Sequence, residues 1–259
     1  MPFVSPTRAE HLAALRDEVR AIESAGASGG REYLPFGVEE MDRRLAGGGL
    51  AVAALHEVTG ERSNLGDDSA AVLFMTGIAA RREGPVLWAL ARRDLFAPGL
   101  AQAGLGSERV FYAECRTDED VLAVMEEGLR HGGLAAVIGE VARVQNMAPT
   151  RRLQLAAEDH GTTALLLRRW KGGSDPLGAP SAAVTRWRIG CVPSGVLAEA
   201  GDEGIGRPRW RIALARQRGG EPYTWIMEGP DAEGRLALPA APGNRAAASD
   251  RAAEARHAA

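Results

Sequence analysis

Residues 60–69 follow an apolar run and precede a helical pattern, which is where an α/β protein can place a phosphate-binding loop. Such a loop reads G-x-x-x-x-G-K-[ST]: its lysine contacts the β- and γ-phosphates and its hydroxyl binds magnesium. Gly60 and Gly66 are present, but the spacing between them is one residue too long. Asp67 and Asp68 stand where the lysine and the hydroxyl should be. The sequence therefore has the position of a phosphate loop without its chemistry.

Electrostatics argues against a nucleotide at this loop. An anion in place of the cation repels a triphosphate, which costs several kcal/mol in a partly desolvated site. An acidic pair at a helix N-terminus instead caps the helix and complements its dipole. We predict that Asp67 and Asp68 fill the anion site themselves, that no cofactor binds and that ATP is not hydrolysed; a metal-bridged nucleotide is the less favoured alternative. Lys171, the sole lysine among 31 basic residues, lies too far along the chain to restore the loop.

Other groups that could do chemistry are isolated in the sequence. Glu140 ends a buried run at the predicted carboxyl edge of a sheet, where ligands bind in open α/β folds. Pairing with an arginine is the favoured interpretation, and a residual role in a site is the alternative. Glu57 and Asp94 have no recognisable catalytic partner. Cys115 and Cys191 lack CxxC spacing and the histidines are scattered, which predicts buried thiols without a disulfide or a metal site.

Arginines alternate with tryptophans in three stretches of the C-terminal half. The members are Arg168, Arg169, Trp170 and Lys171, then Arg186, Trp187 and Arg188, then Arg207, Arg209, Trp210 and Arg211. Such stretches suit stacking on bases and contact with phosphates. Because successive strand residues point to opposite faces, the favoured interpretation is tryptophans in the core and arginines in solvent. A protein-binding surface and weak DNA contact are the alternatives.

Composition narrows the class of protein. The 259 residues are 45% hydrophobic and 25% charged, as expected for a globular α/β domain with extensions. A net charge of −3 lacks the basic excess of a dedicated nucleic-acid binder. No apolar run reaches the roughly 18 residues of a membrane helix, and the N-terminus lacks a signal-peptide core. We therefore expect a cytoplasmic protein.

The periodicity of apolar residues predicts elements that alternate between helix and strand. Helices are predicted for 69–82, 118–131 and 147–160, the last with Leu153, Leu155 and Ala156 facing inward. Strands are predicted for 85–91, 109–113, 134–139 and 162–168, so the sheet should be mostly parallel with helices on its faces. Three further alternating runs, from Val184, Pro208 and Tyr223, predict antiparallel strands that extend this sheet.

Both ends of the chain differ from this core. Residues 7–24 predict a separate amphipathic helix with Leu12, Leu15, Val19 and Ile22 on the face that meets the core or a partner, and 25–30 predict a flexible linker. Residues 229–259 are rich in Ala, Pro and Gly and predict a flexible tail. The predicted domains are thus 1–30 (helix and linker), 31–228 (α/β core) and 229–259 (tail).

The core resembles that of the RecA proteins. Residues 34–66 match the entry to a RecA core, with a short helix, a GGGL turn, a strand ending in Glu-Val and the loop. Where RecA proteins have a catalytic glutamate, this chain has Arg92 and Arg93. Gly139 and Glu140 replace the usual aspartate of the Walker B strand, and Arg169 lies near the position of a nucleotide-sensing glutamine. The resemblance implies a RecA-like fold without the catalytic residues.

A more specific resemblance is to the ImuA family of bacterial mutagenesis cassettes. It rests on WALARRDLFAPGL (88–100), GEV with the following RRLQLAAE (151–158), PSAAVTRWRI (180–189) and PRWRIALARQRGGEPYTW (208–225). The resemblance implies an accessory factor induced by the SOS response. It also implies as partners an ImuB-type relative of Y-family polymerases, an error-prone DNA polymerase III α-type subunit and RecA.

These observations favour a non-enzymatic accessory protein of translesion DNA synthesis that acts by binding other proteins. One alternative is a DNA-dependent ATPase with an atypical acidic phosphate loop. The other is a cell-division inhibitor similar to SulA, a class that is shorter and lacks the complete core.

Overall fold

The computed structural model describes residues 31–144, 146–194 and 206–239. The helices are α1 (Glu39–Asp42), α2 (Leu65–Ala80), α3 (Ala97–Gln102), α4 (Asp118–His131) and α5 (Met147–His160). The strands are β1 (Tyr33–Leu34), β2 (Leu50–Ala51), β3 (Leu55–Gly60), β4 (Val86–Leu90), β5 (Val110–Glu114), β6 (Ala136–Val141), β7 (Thr163–Arg168), β8 (Thr185–Val192), β9 (Arg209–Gln217) and β10 (Tyr223–Glu228). The helices predicted at 118–131 and 147–160 are confirmed to the residue.

A mixed eight-stranded sheet organises the molecule in the order β10-β9-β8-β3-β7-β6-β4-β5. The strands from β8 to β5 are parallel to their neighbours in that order. The antiparallel extension is confirmed for β9 and β10. For β8 the prediction was incomplete, because this strand is parallel to β3 and only its outer edge pairs antiparallel with β9. The predicted α/β fold with a RecA-like core is confirmed.

Helices cover the two faces of the parallel strands. On one face α2 buries Val72, Met75 and Ile78 against the sheet. On the other, α4 buries a stripe that comprises Val121, Leu122, Met125 and Leu129, and α5 buries Leu153. Leu155 was wrongly predicted to face inward: its relative exposure is 49%, because it lies on the outer side of α5.

The tryptophans obey the alternation of the strands. Trp187, Trp210 and Trp225 are almost completely buried on the α2 side of the sheet. Trp187 packs against Phe74 of α2, with ring centroids 5.4 Å apart, and against Trp225, at 6.4 Å. The prediction that Trp187 and Trp210 form core is confirmed, since strand residues on either side of them point to the opposite face. The accompanying prediction of solvent-exposed arginines is wrong for Arg168, Arg169 and Arg186, which are buried against acidic side chains.

The ordered chain continues past the predicted boundary at residue 228. The backbone N–H of Glu228 donates to the Ala237 carbonyl, and Leu236 is buried in the main core. Residues 229–239 therefore pack on the core, and the remainder of the predicted tail lies outside the described residues. So does the predicted N-terminal helix with Leu12, Leu15, Val19 and Ile22.

Gly139 lets α4 approach β6 closely, and this contact can be tested. A Cβ at Gly139 would lie 2.1 Å from Sδ of Met125 and 3.1 Å from Cγ1 of Val121, both fully buried. We expect Gly139→Ala to lower the free energy of unfolding by about 1–3 kcal/mol through overpacking. Urea denaturation measures this, with Gly173→Ala as the control because nothing lies within 4 Å of its Cβ position. Equal stability of the two variants would contradict the close packing.

Candidate functional site at the carboxyl edge of the sheet

The loop between β3 and α2 is closed by the carboxylate of Asp67. Its Oδ2 accepts hydrogen bonds from the backbone N of Arg62 (3.0 Å) and from Nδ2 of Asn64 (3.0 Å). Its Oδ1 accepts from the backbone N of Cys191 at 2.8 Å, at the end of β8. Asp67 is 1% exposed. A protein carboxylate thus occupies the inside of a loop whose backbone would otherwise face an anion.

The backbone N–H groups of the loop donate hydrogen bonds to acceptors within the protein. In a phosphate loop these N–H groups point at the ligand. Here five of them have protein acceptors, namely those of Glu61 (Ile189 O), Arg62 (Asp67 Oδ2), Asn64 (Arg62 O), Asp67 (Asn64 Oδ1) and Asp68 (Asn64 O). Gly60 permits this tight fold, because a Cβ there would lie 3.0 Å from the Asp67 carbonyl carbon. The loop is folded upon itself and offers few donors to a phosphate.

The capping arrangement differs from the prediction. The N-cap of α2 is Asn64, whose side chain accepts from the backbone N of Asp67, so the helix begins at Leu65 and not near Ser69. Asp67 lies in the first turn and turns back into the loop, whereas Asp68 points out of it. The Asp68 carboxylate receives no hydrogen bond from the described residues, and its ion pair with Nη1 of Arg169 is 3.9 Å long. Burial raises the pKa of Asp68, against the opposing effect of Arg169.

Arg169 occupies the centre of the site. Its Nε and Nη2 donate to Oε2 of Glu140 at 2.8 and 2.6 Å, and Nη2 also contacts Oδ1 of Asp94 at 3.1 Å. The other Glu140 oxygen accepts from Nε1 of Trp88 at 2.8 Å. Burial by itself lowers the pKa of Arg169, but the carboxylates around it raise it above the usual value, which keeps the guanidinium charged. The favoured interpretation of Glu140, a pair with an arginine, matches this geometry.

Glu57 anchors a second buried network beneath the first. Its two oxygens accept from Nη1 of Arg168 (2.8 Å) and Nε of Arg186 (2.7 Å), and its side chain is fully buried. The parallel register places Glu57 opposite Arg186 across β3 and β8. Two cations face one anion, so one positive charge is in excess; Arg186 also donates to the Ala179 carbonyl, whereas Nε of Arg168 is buried without a hydrogen-bond partner. These two arginines are structural and inaccessible to a ligand.

The remaining basic residues of the predicted contact set lie at the surface. Four are paired with acids in the structure: Arg188 with Asp175, Arg207 and Arg209 with Glu228, and Arg211 with Glu61. Trp170 is half-buried and donates from Nε1 to the Gly60 carbonyl at 2.9 Å, which ties the end of β7 to the loop. Lys171 is exposed. The structure therefore separates the set into buried, paired and exposed members, which the spacing in the sequence could not do.

Two clefts flank Arg169. One has a volume of about 240 Å³ and is lined by residues that include Arg92, Glu140 and Lys171. The other, of about 200 Å³, lies between α2 and the segment after β4, and its lining includes Leu65, Asp68 and Phe96. Both are below the range of about 300–1,000 Å³ usual for small-molecule pockets. No pattern in the sequence singled out Leu65 or Phe96, since a single apolar residue next to a turn usually packs into the core.

The cysteines were wrongly predicted to be buried. Cys191 is exposed and Cys115 is half-buried, and both are free thiols. Cys191 directly follows Gly190, the last buried position of β8, where the strand leaves the core, and its Sγ donates to the Gly66 carbonyl at 3.3 Å. Burial raises the pKa of the Cys191 thiol, with the carboxylate of Asp67 acting in the same direction. Across the described residues there is no group of three or more His, Cys, Asp or Glu suited to a metal ion.

The fold and the site together define a RecA-like α/β protein whose phosphate loop is closed by its own side chain. No protein-family model matches the chain. It is 37% identical over 217 residues to Protein ImuA of Caulobacter vibrioides strain NA1000 / CB15N, a match that covers 80% of this chain and 88% of the relative. The same protein of strain ATCC 19089 / CIP 103742 / CB 15 matches equally well. The chain belongs to the ImuA family.

Within the described part of the chain, no helix is long and apolar enough to cross a membrane.

Removing the Asp67 carboxylate tests its role in closing the loop. We expect Asp67→Ala to lower the free energy of unfolding by about 2–4 kcal/mol, because the buried N–H of Cys191 and that of Arg62 lose their acceptor. Asp68→Ala is the matched control and should change stability by about 1 kcal/mol or less, since Asp68 accepts no hydrogen bond. Chemical denaturation of both variants measures this. Similar values for the two would show that Asp67 does not hold the loop.

Proposed function

We propose that this protein is a non-catalytic, RecA-like accessory factor of SOS-induced translesion DNA synthesis, which acts in the cytoplasm by binding other proteins. The observation that supports this most directly is the carboxylate of Asp67 inside the phosphate loop. A second anion would have to displace it from three backbone and side-chain donors. The membership of the ImuA family connects this chain to mutagenesis and the response to DNA damage.

Two further features weigh against ATP hydrolysis. The region that would carry a catalytic acid and a magnesium ligand is instead a closed ion-pair network, in which Arg169 takes up both Glu140 and Asp94. A general base must be able to reach a water molecule and accept its proton. Glu140 is 4% exposed and both of its oxygens already accept hydrogen bonds. What was a catalytic centre in RecA-like enzymes serves here to hold the ends of β6 and β7 together.

As partners we propose an ImuB-type relative of Y-family polymerases and, with it, RecA and an error-prone DNA polymerase III α-type subunit. The basis is family membership together with a RecA-like fold whose loop after β3 is closed by Asp67. Weak DNA contact is the second candidate, and the charge distribution favours Lys171 and Arg143 for it. Both are exposed and line a cleft of about 340 Å³ at the same edge of the sheet. Arg168, Arg169 and Arg186 are committed to buried acids.

Titration with ATP tests the loss of nucleotide chemistry. Isothermal titration of the protein with ATP and Mg²⁺ should give no binding in the micromolar range, because the loop donors are occupied and no lysine is present. Asp67→Ala is the matched control, and we expect it to remain without micromolar binding. Micromolar affinity of the natural chain that Asp67→Ala abolishes would overturn the proposal in favour of the ATPase alternative.

Partner binding is tested with purified components. The immobilised full-length chain should retain the ImuB-type protein, and chains lacking residues 1–30 or 240–259 should show whether either end contributes. The second truncation leaves intact the segment that packs on the core up to Pro239. Retention of none of the three proposed partners would contradict the function. Co-purification with a cell-division GTPase instead would support the SulA-like alternative.

A further inference from the structure

The two most exposed large apolar side chains in the described part of the chain lie on the same cleft. Leu65 has a relative exposure of 83% and Phe96 of 70%. Leu65 is the first residue of α2, and Phe96 immediately precedes α3. Both line the cleft of about 200 Å³, whose floor is formed by Val72, Leu73 and Leu100. Neither side chain contributes much to the stability of the fold, because little of its surface is removed from water.

The walls of the cleft carry an excess of negative charge. The charged residues that line it are Asp68, Asp94 and Arg169, which supply two carboxylates and one cation and so leave one negative charge in excess. Asp68 is the member that lacks a close partner, since Arg169 is 3.9 Å away and bonded to Glu140 at 2.6 Å. A half-buried carboxylate without a hydrogen bond is stabilised when a cationic donor approaches it.

From these observations we propose that the cleft bounded by Leu65, Phe96, Asp68 and Asp94 is the docking site for a segment of a partner protein that carries a large apolar side chain next to a lysine or arginine. This inference deepens the proposed function and rests on it. The volume suits the anchoring side chain of a protein better than a small molecule. The exposed side chains of Leu65 and Phe96 supply the affinity for an apolar side chain. Asp68 and Asp94 favour a partner segment that carries a positive charge.

The position of the cleft gives the arrangement a physical basis. The cleft opens at the carboxyl edge of the sheet, beside the loop that Asp67 has closed. With no phosphate or magnesium to accommodate, the first turn of α2 is free to present an apolar side chain at Leu65. The surface that a nucleotide would have covered is thereby available to a protein.

The experiment compares two defined peptides and three variants. The peptides are amphipathic 16-residue helices with leucines on one face, flanked by lysines in one and by glutamates in the other. Fluorescence anisotropy should show binding of the lysine peptide and at least tenfold weaker binding of the glutamate peptide. Leu65→Ser combined with Phe96→Ser should weaken the lysine peptide by about 30-fold or more, as expected for anchor residues. Asp68→Asn should weaken it about tenfold and reduce its dependence on salt.

Phe111→Ser is the matched control, because Phe111 is 60% exposed and lines a different cleft beside α4, which shares no lining residue with the cleft of Leu65 and Phe96. It should bind the lysine peptide like the natural chain. Equal loss in Phe111→Ser and in the double variant would show non-specific adhesion and overturn the proposal. So would equal binding of both peptides, or no binding of either.

The same variants with the purified ImuB-type protein separate this inference from the proposed function. Binding by the natural chain that the double variant loses supports both. Binding that the double variant retains overturns the cleft and leaves the function standing. If the natural chain does not bind the ImuB-type protein, the proposed function is contradicted. The peptide experiment then decides by itself whether the cleft is a docking site. Two results would show that the cleft is occupied by this chain itself. One is that the lysine peptide binds only after residues 1–30 are deleted, and the other is that the double variant converts a dimer into a monomer. Either result would overturn the proposal of a separate partner.

Discussion

The carboxylate of Asp67 is the interaction on which the carboxyl edge of this molecule depends. A loop that joins a buried strand to a helix N-terminus collects backbone donors and the positive end of the helix dipole, and these need an anion. Asp67 supplies it from within the helix and, through the N–H of Cys191, also fixes the end of β8 against the loop. The loop is thereby closed by a side chain of the protein itself, and its backbone donors already have acceptors.

Two buried ion-pair networks lie at the same edge of the sheet. Arg169 with Glu140 and Asp94, and Glu57 with Arg168 and Arg186, place charges where a RecA-like enzyme would arrange catalysis. Such pairs contribute little net stability, because desolvation offsets much of their attraction, but breaking one by removing a partner costs about 3–5 kcal/mol. Their effect is to fix the relative positions of β3, β6, β7 and β8.

Much of the fold followed from local patterns. The helix at 118–131 has a capping box of Thr117 and Asp120 at one end and Gly132 in the left-handed conformation at the other, so its bounds were fixed by neighbouring residues. The burial of Trp187 and Trp210 followed from strand alternation. The failures have a common cause. Leu155 and Cys191 were predicted to be buried from residue type, but Leu155 follows the buried Leu153 by two residues and so lies on the opposite side of its helix. The exposure of Cys191 depends on where β8 leaves the core, which no local pattern contains.

The sequence by itself determined that this chain has a RecA-like α/β core and a phosphate loop without its lysine, because both depend on residue identity and spacing along the chain. Only the tertiary structure decided which group of the protein lies inside this loop. The partners of Asp67, Glu57 and Glu140 are separated by up to 129 residues, and the parallel register of the sheet brings them together. It also decided that Asp67 fills the loop while the adjacent Asp68 faces a cleft, since one residue along a helix turns a side chain by about 100°.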